Sequence, residues 1–204
     1  MDFKIMDRDL ILRDFEPGDL DRAGEIACRL WRDEAGFIPR AMQPKLYEYL
    51  VRYYYVPASP FSCAVTCKGE LCAFLLAAAG KHSTDHADLW LSEKLSAGER
   101  ELFEVYKAYL DGNKYAEEKL LQKNEALLLL FCSVQKGCGA LLMEEFRQRC
   151  RSAGISSMLL WTDDTCDFQW YQRNAFTEVA SFPAVPSLPC RQLTTFVFRR
   201  KIDP

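Results

Sequence analysis

The chain has 204 residues, 49% of them apolar and 27% charged, and a formal net charge of −3. That length suits one domain able to bury roughly 70% of its unfolded surface, and the composition excludes wholesale disorder. The slightly acidic balance gives no pull toward nucleic acid or an anionic membrane, and the longest apolar runs, Leu71–Ala79 and Ala126–Cys132, fall far short of the ~20 residues that span a bilayer. In chain order, Met1 to Asp9 is studded with charge and does not read as a signal peptide. Leu10–Arg13 reads as a short strand. Glu16-Pro17-Gly18-Asp19 follows, with Pro17 suited to a first helical position and carboxylates to a first turn. Leu20, Ala23, Ile26, Ala27, Leu30 and Trp31 recur at helical spacing and predict a helix to about Trp31. The Gly36–Pro44 stretch precedes a second, tyrosine-rich amphipathic helix over Lys45–Tyr55. Phe61–Thr66 and Leu71–Ala79 flank a short polar turn at Gly69, which predicts a hairpin.

Residues 82–123 differ in character. They are charged and helical in period, with Leu102, Val105, Tyr106, Tyr109 and Leu110 on one stripe, and predict one or two helices inserted between strands. Glu125–Cys132 reads as a buried strand, although a run of leucines alone does not exclude helix. A glycine turn over Ser133–Gly139 leads to a helix over Ala140–Ala153 capped by Gly154. Ser157–Thr162 is a strand, Thr165–Asn174 a short helix, and Phe176–Phe182 and Thr194–Arg200 are two closing strands around a proline-rich loop. The fold class is therefore mixed α/β, as one domain over 1–204.

Nine cysteines stand at 28, 63, 67, 72, 132, 138, 150, 166 and 190. The odd count, the lack of an export signal and their place inside apolar runs predict reduced thiols and a cytoplasmic chain. No Cys-x-x-Cys pair occurs, and core packing is the expectation for Cys63 and Cys67. His82 and His86 follow Gly80-Lys81 in what reads as a loop, so no metal site is expected.

The chemistry is concentrated in two segments. Gln135-Lys136-Gly137-Cys138-Gly139-Ala140 lies between a strand and a helix, where unpaired N–H groups and the helix dipole make an anion site and glycines allow close approach. After the next strand come Asp163-Asp164-Thr165 and then Phe168-Gln169-Trp170-Tyr171-Gln172-Arg173-Asn174-Ala175-Phe176. Together with the Leu10–Trp31 opening and the Phe61–Ala79 hairpin, these segments in this order resemble the GNAT N-acetyltransferase superfamily, over nearly the whole chain outside 82–123. The resemblance implies a GNAT-like fold with a helical insertion between the third and fourth strands. It also implies acetyl-CoA as co-substrate and direct acetyl transfer to a small-molecule amine.

By the same resemblance, Cys132, Ser133, Val134, Gln135, Lys136, Gly137, Cys138, Gly139, Ala140 and Asp164 would meet the cofactor. An N–H around Cys132–Val134 would stabilise the oxyanion. Tyr171 would protonate the departing thiolate, and Glu125, with Asp163 and Asp164 behind it, would deprotonate the amine through a water. Each has a plainer reading: Tyr171 as a packing aromatic, Glu125 as a solvated strand edge, Lys136 pointing into water. Tyr47, Tyr49, Tyr53, Tyr54 and Tyr55 either pack the second helix or wall the acceptor pocket. Proteins of this kind are frequently homodimers.

Three features depart from the family pattern. The turn from strand to glycines is short, which displaces or removes a pyrophosphate N–H. Asn174-Ala175-Phe176 replaces x-Gly-Phe, so either Ala175 is left-handed, at about 1 kcal/mol, or Asn174 takes the turn. Asp164 stands where asparagine is common. These departures keep open a catalytically degenerate domain that senses a ligand or binds a partner. A third reading is an unrelated α/β protein with another phosphate ligand. Only the GNAT reading requires fourth and fifth strands that splay apart with Tyr171 at the cleft.

Overall fold

Local sequence sets the first elements. Strand β1, Leu10–Asp14, ends where Arg13 turns back to grip Asp19 through two 2.7 Å hydrogen bonds, while Asp19 also accepts the Glu16 N–H at 2.9 Å. Those bonds fasten a one-turn 3-10 helix over Pro17–Asp19 that runs straight into helix α1, Leu20–Trp31. This is a computed structural model, and it describes residues 9–31, 36–189 and 191–203. The charged stretch 1–8 and Cys190, on which two of the sequence expectations rest, lie outside the described residues.

Helix α2, Gln43–Tyr54, follows, then the hairpin of β2, Cys63–Cys67, and β3, Glu70–Ala79. The charged stretch resolves into two helices, α3 over Asp85–Lys94 and α4 over Ala97–Leu120. The start of α4 is fixed by a reciprocal cap: Ser96 Oγ accepts the Glu99 N–H and Glu99 Oε2 accepts the Ser96 N–H at 2.9 Å. Strand β4 spans Glu125–Ser133, helix α5 Cys138–Ser152, strand β5 Ser157–Asp163 and helix α6 Phe168–Arg173. Strands β6, Thr177–Pro183, and β7, Thr194–Lys201, close the chain. Helix α5 starts two residues ahead of its expected Ala140, because left-handed Gly137 already completes the turn.

The seven strands form one sheet in the order β1-β2-β3-β4-β5-β7-β6, antiparallel except for the β4/β5 pair. Two apolar cores flank it. One joins α1, α2, α3 and α4 to the sheet through residues such as Tyr49, Phe74, Phe103 and Leu127. The other seats α5 on the opposite face through Leu142, Phe146, Leu75 and Phe198, with Trp170 and Tyr171 of α6 packed against it. Among the described residues no helix is long and apolar enough to cross a membrane, and the eight described cysteines are free thiols.

Candidate active site

The site begins with a defect in the sheet. Strands β4 and β5 pair only at Glu125↔Ser157, Ala126↔Met158 and Leu127↔Leu159. Beyond that point β4 stays with β3 as far as Ser133↔Ala73, while β5 stays with β7 as far as Asp163↔Thr195. Each strand follows its outer neighbour and a fork opens between them. A bulge at Leu129, where the β3 register skips from Leu130↔Leu76 to Leu128↔Ala77, bends β4 just past the fork point.

The open strands expose backbone. Val134 N–H is taken by Cys72 C=O at 3.0 Å on the β3 side, so alternation turns the N–H groups of Ser133 and Phe131 into the fork. This narrows the oxyanion expectation over Cys132–Val134. Of those residues only Ser133 presents a donor, and Phe131 adds a second.

The expected cofactor turn caps α5. Gly137 has φ +89°, a left-handed value that suits glycine, and it launches the helix with Gln135, Lys136 and Ala140 exposed around it. Gly139 lies close against the Phe131 ring, where an added Cβ would come within 3.1 Å. The turn spends one donor on itself, since Cys138 N–H bonds Gln135 C=O at 3.2 Å. The Cys138 thiol points inward, 3.9 Å from the Cys72 sulfur, and burial pushes it up. The Cys132 thiol is likewise buried and raised. The side chains of Cys132 and Cys138 therefore belong to the core, and only their backbone is left to a ligand.

Tyr171 stands at the fork. Its ring is wedged by Trp170, Phe176 and Phe198, at centroid distances of 5.3, 5.4 and 5.6 Å. Burial raises its phenol, and among the described residues no side chain hydrogen-bonds it. Ala175, next along, does adopt the left-handed conformation, φ +61°, and Asn174 does not.

On the α1–α4 side the fork opens into a cavity of about 510 Å³. Leu128–Phe131 and Trp161–Cys166 form its floor, α2 and α4 its walls, and the β6–β7 loop its rim; Tyr171 lines it too. The tyrosine cluster divides. Tyr47 and Tyr54 line the cavity, whereas Tyr49 is stacked on Trp90 and Tyr53 donates to Asp111 at 2.8 Å. Asp163 is held on both oxygens: Oδ2 accepts Tyr109 OH at 2.6 Å, and Oδ1 accepts the Thr165 N–H at 2.9 Å and its hydroxyl. Asp164 lies 3.6 Å from Arg191, with Oδ1 buried and bearing no hydrogen bond among the described residues. Asp164, expected beside the cofactor, lines the cavity.

Glu125 is a correction. It is 2% exposed and sits at the closed end of the fork, outside the cavity. Oε1 accepts Arg199 Nε at 2.7 Å and Ser157 Oγ at 2.9 Å, and Oε2 accepts the Gln122 N–H at 2.9 Å. It is not a solvated edge: its carboxylate is spent on buried structural partners away from the cavity that a general base would have to face. A residue the sequence did not single out is Glu117 of α4. It is fully buried beside the Trp161 backbone N–H, and burial raises its carboxyl well above the ordinary range. Nothing in Glu117-Glu118 distinguishes it except its place on the apolar stripe of a 24-residue helix.

His82 precedes α3, while His86 sits in its first turn with Nε2 2.5 Å from Arg52 C=O. The two do not form a helical i, i+4 pair.

A forked β4/β5 pair, a glycine turn capping the intervening helix and a tyrosine at the fork define the GNAT acyltransferase fold. Solved structures similar to this chain include Ard1 from Thermoplasma volcanium, at 18% identity and TM-score 0.55, covering 96% of this chain and 99% of that one. Aminoglycoside 6′-acetyltransferase type Ii is similar at 13% identity and TM-score 0.53, covering 95% and 98%. PaiA N-acetyltransferase from Thermoplasma acidophilum, solved with coenzyme A, is similar at 13% identity and TM-score 0.52, covering 94% and 98%. No protein-family profile matches the chain, and no curated protein sequence matches it.

Proposed function

We propose that this protein is an acetyl-CoA-dependent N-acetyltransferase acting on a small-molecule amine. The observation that carries the reading is the fork. It joins the glycine turn to the aromatic cavity, with Tyr171 between them. Acetyl-CoA, when bound, supplies an activated acyl group as a thioester. The turn fits it: Gly139 and Ala140 N–H groups stand at the positive end of α5, Lys136 is exposed beside them, and at Gly137 nothing crowds the backbone.

The amine nitrogen attacks the thioester carbonyl as the C–S bond breaks. Ser133 and Phe131 N–H groups face the oxygen on which charge develops. Asp164 Oδ1, buried without a hydrogen bond among the described residues, takes the amine proton directly or through one water. Asp163 is less suited, because Tyr109 and Thr165 already occupy both oxygens. Tyr171 protonates the leaving thiolate. Its raised phenol arrives protonated, and desolvation in the same fork makes the thiolate a stronger base.

One observation favours a non-catalytic ligand-sensing domain: the turn consumes the Cys138 N–H on Gln135 C=O. Calorimetric titration with acetyl-CoA separates the two. Micromolar binding, weakened about tenfold by Lys136→Glu, is the expected result. Absence of heat up to millimolar acetyl-CoA overturns the enzyme reading.

A further inference from the structure

The cavity's chemistry narrows the acceptor. We propose that the acceptor is a monocationic primary amine on an apolar, ring-bearing body, an arylalkylamine. This rests on the acetyltransferase reading for its chemistry, but not for its binding.

The first ground is the wall. Phe37, Tyr106, Tyr109 and Trp161 form a continuous series of ring contacts, with centroids 5.9, 6.1 and 5.8 Å apart. Trp31 and Tyr47 pair at 6.4 Å on the α1–α2 side, and leucines fill much of the remainder. Two of the wall's phenols are already committed. Tyr109 OH is spent on Asp163, and Tyr47 OH on Trp31 C=O. What these two tyrosines leave for a ligand is ring. The buried Tyr54 hydroxyl, without a hydrogen bond among the described residues, gives that wall one polar point, so a polyhydroxylated acceptor would bury most of its hydroxyls against rings and leucines, at the cost of each lost water contact.

The second ground is charge. Among the described residues, the ionisable side chains lining the cavity, apart from the phenols and the Cys166 thiol, are Asp163, Asp164 and Arg191. Two carboxylates against one guanidinium leave a single net negative charge. That complements one ammonium, whereas a polyamine would leave cations unmatched in an apolar chamber. Both carboxylates lie at the fork end, on the floor that Tyr171 shares. An ammonium held there by Asp164 puts its nitrogen at the fork and lays the ring body among Tyr106, Trp161 and the leucines. Ring faces also attract the cation as it enters. A volume of about 510 Å³ admits such a molecule whole.

The test is binding, measured by calorimetry with and without saturating CoA. The probes are 2-phenylethylamine, tryptamine, phenylacetate, spermidine and kanamycin. The aryl amines should bind at least about tenfold more tightly than spermidine, kanamycin or phenylacetate. Asp164→Asn should remove the preference for amine over phenylacetate. Tyr106→Ser should weaken both aryl amines about tenfold while thermal unfolding stays cooperative. Because Tyr106 is partly exposed, Leu50→Gln, on the opposite wall, serves as a second probe of the same apolar chamber. Spermidine or kanamycin binding as tightly as the aryl amines overturns the proposal, as does failure of both aryl amines to bind at millimolar concentration. Aryl amine binding without acetyl transfer supports the ligand class and overturns the acetyltransferase reading alone.

Discussion

Tyr171 owes its place to residues on three elements. Trp170 and Phe176 come from its own helix and the strand that follows, and Phe198 from β7. The ring is packed, and among the described residues no side chain hydrogen-bonds the hydroxyl, so packing and catalysis need different atoms. Tyr171→Phe should therefore keep the unfolding midpoint while lowering kcat by about 100-fold with KM little changed, read by steady-state kinetics. An unchanged kcat would assign the proton to another donor. Ala175 carries strain of a different kind. At φ +61° it pays the left-handed penalty that glycine avoids. Ala175→Gly should stabilise the protein by about 1 kcal/mol in a denaturant titration. Asn174, the alternative in the sequence, is disqualified by its own backbone at φ −107°.

At the scale of elements, the fork depends on what pins its closed end. Glu125 opens β4, Ser157 opens β5 and Arg199 lies in β7, so one carboxylate ties three strands together where pairing stops. Arg199 also donates to Leu120 C=O at the end of α4, at 2.6 Å, which anchors that helix to the same knot. Removing one partner of a buried ion pair leaves the other charge uncompensated. Glu125→Ala should cost about 3–5 kcal/mol in equilibrium unfolding. If activity per folded molecule then falls no more than a few-fold, the structural role stands; if kcat collapses in a variant of normal stability, Glu125 acts in the chemistry after all. Helix α4 meets the β6–β7 loop so closely at Gly112 that any Cβ there would collide with Val185 C=O. That contact sets the loop carrying Leu188, Arg191 and Leu193 over the cavity.

At the scale of the whole molecule, the sheet separates two tasks. The α5 face carries the glycine turn, and the α1–α4 face carries the cavity. Folding onto the second face strands a few polar groups. His82 is buried with neither ring nitrogen hydrogen-bonded among the described residues, and burial, with Lys114 and His86 nearby, lowers it to about 4. Its unfolded value is near 6.5, so protonation favours the unfolded chain. The stability it withholds from acid is complete above pH 6.5 and is lost as pH falls toward 4, amounting to about 3 kcal/mol. Urea midpoints of the parent and His82→Leu should diverge between pH 7 and 4, as the parent alone weakens. A parallel decline in both would place the acid sensitivity elsewhere.

The order of elements was legible in the sequence because period, caps and turn residues act over a few positions. The stripe from Leu20 to Trp31, the apolar hairpin around Gly69 and the Gly137–Gly139 turn all lie where local patterning puts them. The site was legible only in part. Tyr171 and the glycine turn were singled out by the order of segments that resembles the GNAT pattern. The role of Glu125 does not, because it is decided by Arg199, 74 residues away, and by burial at the end of a strand pair. The same holds for Tyr47 and Tyr54 against Tyr49 and Tyr53: four near-identical neighbours on one helix were sorted into cavity and core by what packed against each face. Sequence alone thus fixed the mixed α/β order and the turn that caps α5, since short-range backbone preferences suffice for those. Tertiary structure alone decided the fork, the fate of each carboxylate and the aromatic cavity, because each depends on which distant chains exclude water from the group.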